Sequence, residues 1–283
     1  MTESPELVRI LDLETLDLDM FRGFTPPGRD RRIYGGQVVA QALTAAYRTV
    51  DKRLCHSMHA YFIRPGDPKV PILFQVDRAR DGGTFSVRRV TAIQHGKQIF
   101  NLAASFQVPE DGFEHQSDMP QAPAPEGLMN EEELRAKAGL DPESRQIWPI
   151  EVRPCHPQPW GKATKLPPND MCWMRARESV GLEIPVNQCA LAYASDMTLL
   201  DPSLRPHGVD WNSGKLQVAS LDHALWFHKA SDFSEWHLYV QDSPSAAGGR
   251  GFNRGAIYTR QGVLVASATQ EALIRYREPP PAT

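Results

Sequence analysis

Ser86-Val-Arg-Arg-Val-Thr-Ala-Ile-Gln94, His95-Gly96-Lys97 and Gln98-Ile-Phe-Asn-Leu-Ala-Ala-Ser-Phe-Gln-Val108 read as two strands and the turn that joins them. In the second strand Phe100, Leu102, Ala104, Phe106 and Val108 alternate with Asn101, Ala103, Ser105 and Gln107. Such alternation marks a strand with one face buried, and the turn makes the pair a long antiparallel hairpin. Toward the N-terminus, Ile72 to Arg80 and Leu54 to Ile63 are also strand-like. Before them Gly35-Gly36 opens a segment whose apolar residues Val38, Val39, Ala42, Leu43, Ala46 and Val50 have the spacing of one helical face. One long helix followed by a run of antiparallel strands predicts an α+β layer arrangement, a helix lying on a sheet.

The second half of the chain echoes this order. Tyr34-Gly-Gly-Gln37 is answered by Tyr193-Ala-Ser-Asp196, which sets Asp196, like Gln37, at the start of a helix. Ala60-Tyr61-Phe62 is answered by Leu225-Trp226-Phe227, and His95-Gly96-Lys97 by Arg260-Gln261-Gly262. Asn101 to Gln107 is answered by Val263 to Gln270. Between the halves lie 11 of the 24 prolines, from Pro109 to Pro168, and they punctuate an interdomain connection. Within it Asn130 followed by Glu131-Glu132-Glu133 and then Arg135 and Lys137 suits one short capped helix. The expected organisation is an N-terminal repeat over residues 1–108, a linker with a short helix over 109–148, and a C-terminal repeat over 149–283.

Composition excludes several function classes. With 283 residues, 41% hydrophobic and 23% charged, the chain has ordinary globular usage. Its net charge of −3 gives no field to gather nucleic acid or anionic lipid. No apolar run approaches the roughly 20 residues a membrane-spanning helix needs. The N-terminal Met1-Thr2-Glu3-Ser4-Pro5-Glu6 lacks the basic and apolar regions of a signal peptide, and the C-terminus lacks a peroxisomal Ser-Lys-Leu. Cys55, Cys155, Cys172 and Cys189 form no Cys-x-x-Cys pair, so they are expected reduced in a cytoplasmic protein.

Comparing the halves sets Gln37 against Asp196, Cys55 against Ser220 and Gln107 against Gln270. The second half alone then offers an ionisable base beside a hydroxyl. Each residue has a plain alternative: Asp196 as a helix N-cap, Ser220 as a small polar strand residue, Gln270 as a solvent-facing position. Their recurrence at matching points of a duplicated unit favours one site.

The chain also resembles the acyl-CoA thioesterase II family, a double-hotdog fold. The resemblance runs nearly end to end: Tyr34-Gly-Gly-Gln-Val-Val39, Phe62-Ile-Arg-Pro-Gly-Asp67, Gly112-Phe-Glu-His-Gln116, Asp222-His-Ala-Leu-Trp-Phe-His228 and Arg250-Gly-Phe252 all carry it. It implies hydrolysis of acyl-CoA to a fatty acid and CoA without metal or cofactor. It places the carboxylate, hydroxyl and glutamine of the active site on Asp196, Ser220 and Gln270. The hydroxyl position is commonly Thr in the family, and Ser220 lacks the stiffening methyl. Gly35 and Gly36, without a Cβ, could let a substrate carbonyl rest at the helix N-terminus, or could serve helix packing.

Other constellations are weaker. No serine lies in a Gly-x-Ser-x-Gly elbow. On a strand Ser220 and Asp222 share a face while His223 points away, so they make no local triad. His56-x-x-His59 and the pair His223 and His228 lack the spacing and carboxylates of a metal motif. A hotdog hydratase or dehydratase acting on acyl-CoA, with His223 as its acid or base, is the alternative enzyme. A non-catalytic acyl-CoA binding module is the alternative outside catalysis. Long edge strands lead us to expect a homo-oligomer.

Overall fold

The computed structural model describes residues 5–28, 32–140, 148–159, 164–209 and 214–277. The first half runs α1 (Glu6–Leu11), β1 (Glu14–Asp17), β2 (Met20–Gly23), α2 (Gly35–Tyr47), β3 (Leu54–Phe62), β4 (Ile72–Asp81), β5 (Phe85–Gln94) and β6 (Lys97–Gln107). A connector with α3 (Glu131–Lys137) leads to β7 (Ile150–Pro154), β8 (Asn169–Ala176), α4 (Ile184–Ser195), α5 (Asp201–Leu204), β9 (Leu216–Ser220), β10 (Asp222–Phe227), β11 (His237–Ala247), β12 (Arg250–Thr259) and β13 (Leu264–Tyr276). Among the described residues the strands form one antiparallel sheet in the order β1-β2-β4-β5-β6-β3-β10-β13-β12-β11-β8-β7, with β9 on β13. This is the expected α+β arrangement. The hairpin closes as read: β5 and β6 flank His95-Gly96, whose φ values of 49° and 68° are those of a type I′ turn.

The halves meet along β3 and β10, which pair antiparallel with Ala224 opposite His59. α2 and α4 lie together against the sheet. Their contacts show them antiparallel: Tyr34 at the start of α2 reaches Tyr193 near the end of α4, while Tyr47 at the end of α2 bonds Gln188 near the start of α4. The sequence predicts a helix with one apolar face over this region, but ten of the 13 residues of α2 are buried. α1 and α4 cover the side that solvent would otherwise wet. Ala40, Ala42, Ala45 and Ala46 keep that contact thin, and all four are fully buried. The core therefore surrounds α2, with Val39, Leu43, Phe74, Phe100, Phe106 and Leu225 closed off from water.

Two expectations change. The sheet ends in β1 and β7, strands of four and five residues, so its edges are short rather than long. Gln107 and Gln270 do not fall at the same step. Phe62 lies opposite Phe100 and Phe227 opposite Ala266, which sets Ala104 against Gln270. By the same register Gln107 corresponds to Leu273, three residues beyond Gln270. Cys55 and Ser220 do keep step, opposite Phe106 and Ala272.

The proline-rich connector is tied to the second half. Trp173 donates its indole N–H to Pro123 O at 2.8 Å, Arg153 reaches Pro125 O at 2.8 Å, and Gln116 brackets the β12–β13 turn at Gly262 and Leu264. α3 begins with a capping box in which Asn130 accepts from Glu133 N–H and Glu133 accepts from Asn130 N–H.

Candidate active site

The antiparallel packing of α2 and α4 puts the first turn of one against the last turn of the other. At that junction lies Asp196. It is the C-cap of α4 (φ −87°, ψ −9°), not a residue at the start of a helix. The echo Tyr34/Tyr193 thus joins opposite helix ends, and Pro185, in the first turn of α4, is the sequence signal that marks the true start.

A carboxylate at a helix C-terminus meets the negative end of its own dipole. The first turn of α2 supplies the opposite: Gly36 donates its N–H to Asp196. The two glycines make the approach possible. A Cβ at Gly35 would stand 2.7 Å from Asp196 Oδ2, and one at Gly36 would stand 2.3 Å from Tyr193 O. Tyr34 seals the contact, its hydroxyl donating to Tyr193 O at 2.9 Å. The space beside Gly36 is taken by protein, so the glycine serves helix packing and lets its N–H face Asp196.

Ser220, the last residue of β9, and Gln270, on β13, complete a chain of hydrogen bonds that ends on Asp196. Gln270 Nε2 donates to Ser220 Oγ at 2.7 Å, and Ser220 Oγ to Asp196 Oδ1 at 3.4 Å. The structure thus brings the three predicted residues together. It adds a fourth that the sequence reading set aside. His223 Nδ1 lies 2.8 Å from Gln270 Oε1, and its Nε2 lies 2.8 Å from Ser195 Oγ. A carbonyl oxygen only accepts, so Nδ1 carries the proton. That bond fixes which end of the Gln270 amide faces Ser220.

The strand alternation argument failed for His223 because the strand breaks at Leu221, between β9 and β10. After the break His223, Leu225 and Phe227 all face the core. A fully buried histidine on an apolar face needs partners, and that polar interruption of a core face was the available signal. Gln37 has no part in the site: its amide donates to Thr25 Oγ1 at 2.9 Å and Phe24 O at 3.3 Å.

The Asp196 residue as a whole is partly covered, while Gln270 and His223 are buried. Burial pushes the Asp196 carboxyl above the ordinary carboxylate range; His223, the Gly36 N–H, Gln270 and Ser220 pull it down without cancelling that push. A carboxylate raised toward neutrality is a better proton acceptor.

Known proteins match the chain in both halves. The profile of the acyl-CoA thioesterase family matches residues 143–273, and that of the acyl-CoA thioesterase N-terminal domain matches residues 25–107. Acyl-CoA thioesterase 2 of Haemophilus influenzae is 40% identical over 279 residues, covering 96% of this chain and 98% of that protein. The chain belongs to the acyl-CoA thioesterase II family. Human acyl-coenzyme A thioesterase 8 is likewise 40% identical, with 95% of this chain and 88% of that protein covered. The crystal structure of an acyl-CoA thioesterase II from Mycobacterium marinum superposes with a TM-score of 0.79 at 41% identity, covering 96% of this chain and 99% of that one. A hotdog-fold protein of unknown function from Alicyclobacillus acidocaldarius has a TM-score of 0.78 at 17% identity, over 98% of this chain and 100% of its own, a likeness of fold.

Proposed function

We propose that this acyl-CoA thioesterase hydrolyses fatty acyl-CoA by attack of a water that Asp196 deprotonates and Ser220 and Gln270 hold in place. The observation that carries the reading is the one-way row of donors from His223 through Gln270 and Ser220 to Asp196, which leaves the carboxylate as the final acceptor. The water oxygen bonds to the thioester carbon as its proton passes to Asp196. Collapse of the tetrahedral adduct breaks the C–S bond, and Asp196 returns the proton to the CoA sulfur. No acyl-enzyme forms. A positioned base contributes about 10²–10⁴ in rate. The α2 N-terminus, whose first amides have no intrahelical acceptors, supplies positive potential for the developing oxyanion. A dehydratase would need His223 turned to substrate, whereas both its ring nitrogens are held by protein.

The same proposal includes a double hotdog with repeats over residues 1–108 and 149–283 and a linker between them. Numbering from β2 and from β8, and counting β9 and β10 as one strand interrupted at Leu221, the strand order is 1-3-4-5-2 in both halves, which supports it. Self-association through the outer sheet face, where Tyr61, Leu73 and Phe85 are exposed, and residence in the cytoplasm complete the reading; the four free cysteines suit a reducing compartment. The experiment is thiol release from acyl-CoA esters of several chain lengths. Hydrolysis by wild type and its loss in Asp196→Asn are expected. Binding of every ester without thiol release would leave a binding module.

A further inference from the structure

At the end of α2 opposite Asp196, a cavity of about 710 Å³ opens between α1, the last turn of α2, the start of β3 and the first turn of α4. That volume falls within the roughly 300–1,000 Å³ of small-ligand pockets. Its walls are mainly aliphatic, with Leu11, Val50, Leu54, Ile184 and Val186 among them. Its charged residues are Arg9, Arg48, Lys52 and Arg53 against one acid, Asp12, four positive charges to one negative. Arg48 pairs with Asp12 at 2.9 Å, so the acid is already engaged. Arg53 spends its outer nitrogens on backbone carbonyls of Asp51, Gly82 and Gly83, and its Nε–H is buried with no acceptor. With its nitrogens engaged or enclosed, what Arg53 offers a ligand at the rim is its positive charge.

We infer that this cavity is a second binding site, distinct from the Asp196 centre, for an aliphatic carboxylate whose chain lies between α1 and α4 and whose head group meets the arginine-rich rim at Arg53. Aliphatic walls bind the chain by burial, and the excess positive charge selects an anionic head over a neutral one. The site holds its ligand without turning it over: its lining contains no counterpart of the Ser220, Gln270 and Asp196 row, and Pro185 in the first turn of α4 has no N–H where the first turn of α2 offers Gly36. The inference does not depend on thioester hydrolysis at Asp196.

The test is calorimetric titration of the full-length protein with dodecanoate below its micelle concentration, with dodecanol as the neutral probe. Wild type and Asp196→Asn are expected to share one binding event per chain that Val186→Trp, which fills the cavity, removes. Arg53→Gln, at a half-buried position, is expected to weaken it at least tenfold and carries the test should the tryptophan upset folding, which a thermal melt reports. The inference is overturned if wild type binds no dodecanoate or if a folded Val186→Trp binds it like wild type. It also fails if dodecanol binds as tightly, or if Asp196→Asn abolishes the event and so places it at the catalytic centre.

Discussion

Gly36→Ala is the sharpest test of how α2 and α4 build the site. At the second residue of a helix, alanine should by propensity stabilise by up to about 1 kcal/mol. The structure predicts the reverse. The new methyl would stand 2.3 Å from Tyr193 O, 2.5 Å from a Tyr34 ring carbon and 2.6 Å from Tyr34 Oη. The nearest atom is backbone and cannot swing aside, so the helices must separate. Overpacking of this kind costs about 1–3 kcal/mol, and loss of the Tyr34 to Tyr193 hydrogen bond adds about 1 kcal/mol. Clash exceeds propensity, and a net loss of about 2 kcal/mol lowers the melting temperature by roughly 4–8 °C for a chain of this size. Withdrawal of the Gly36 N–H from Asp196 should cost about 10²-fold in kcat, the usual effect of a misplacement near 1 Å. Differential scanning fluorimetry and thiol release measure the two effects on one preparation. Gly127→Ala, whose Cβ would meet nothing within 4 Å, is the control. A Gly36→Ala protein with wild-type melting temperature and wild-type kcat would refute the proposed helix junction.

Gly35→Ala meets the movable end of a side chain, Asp196 Oδ2 at 2.7 Å, so kcat should fall with little change in melting temperature. Asp196→Asn should abolish turnover yet stabilise the fold at neutral pH. Its carboxyl is raised in the folded state by burial, so wild-type stability falls as pH climbs from the unfolded value through the folded one, and the variant escapes that fall. Melts at pH 4 and pH 7 that show no widening gap would count against it. For the same reason the rising limb of the kcat–pH profile should lie above the ordinary carboxylate range. His223→Leu should lower kcat about tenfold or more with KM nearly unchanged, and His223→Asn, which can donate to Gln270 Oε1, should recover part of it; equal loss in both would make His223 a packing residue. The thiols are buried, with Cys155 pushed up to about 11 and Cys189 up to about 12 by desolvation, so the native protein should not react with a disulfide reagent at pH 8.

The hairpin around His95-Gly96 and the position of α2 were legible because alternation and helical spacing are local properties. The burial of α2 on all sides was not, since it depends on where α1 and α4 dock. Asp196, Ser220 and Gln270 could be named in advance through the resemblance to the family, but the reasoning from repeats misplaced Asp196 on its helix and slipped Gln107 out of register with Gln270. Both errors come from matching short echoes of residue type, which fix neither the end of a helix nor the register of a strand. His223 was hidden by a break in the strand at Leu221, a single residue that resets which face each side chain takes.

The β3–β10 ladder has a consequence for how this protein comes to be active. Gly36 arrives with the first half of the chain, and Asp196, Ser220 and Gln270 with the second. Under the proposed mechanism neither half holds a complete reaction centre, so activity reports the union of the two and not the folding of either. A chain severed in the connector would leave two inactive fragments, each with a bare strand edge where β3 or β10 should be covered. Their recombination would switch hydrolysis on, which makes the enzyme a reporter of its own assembly.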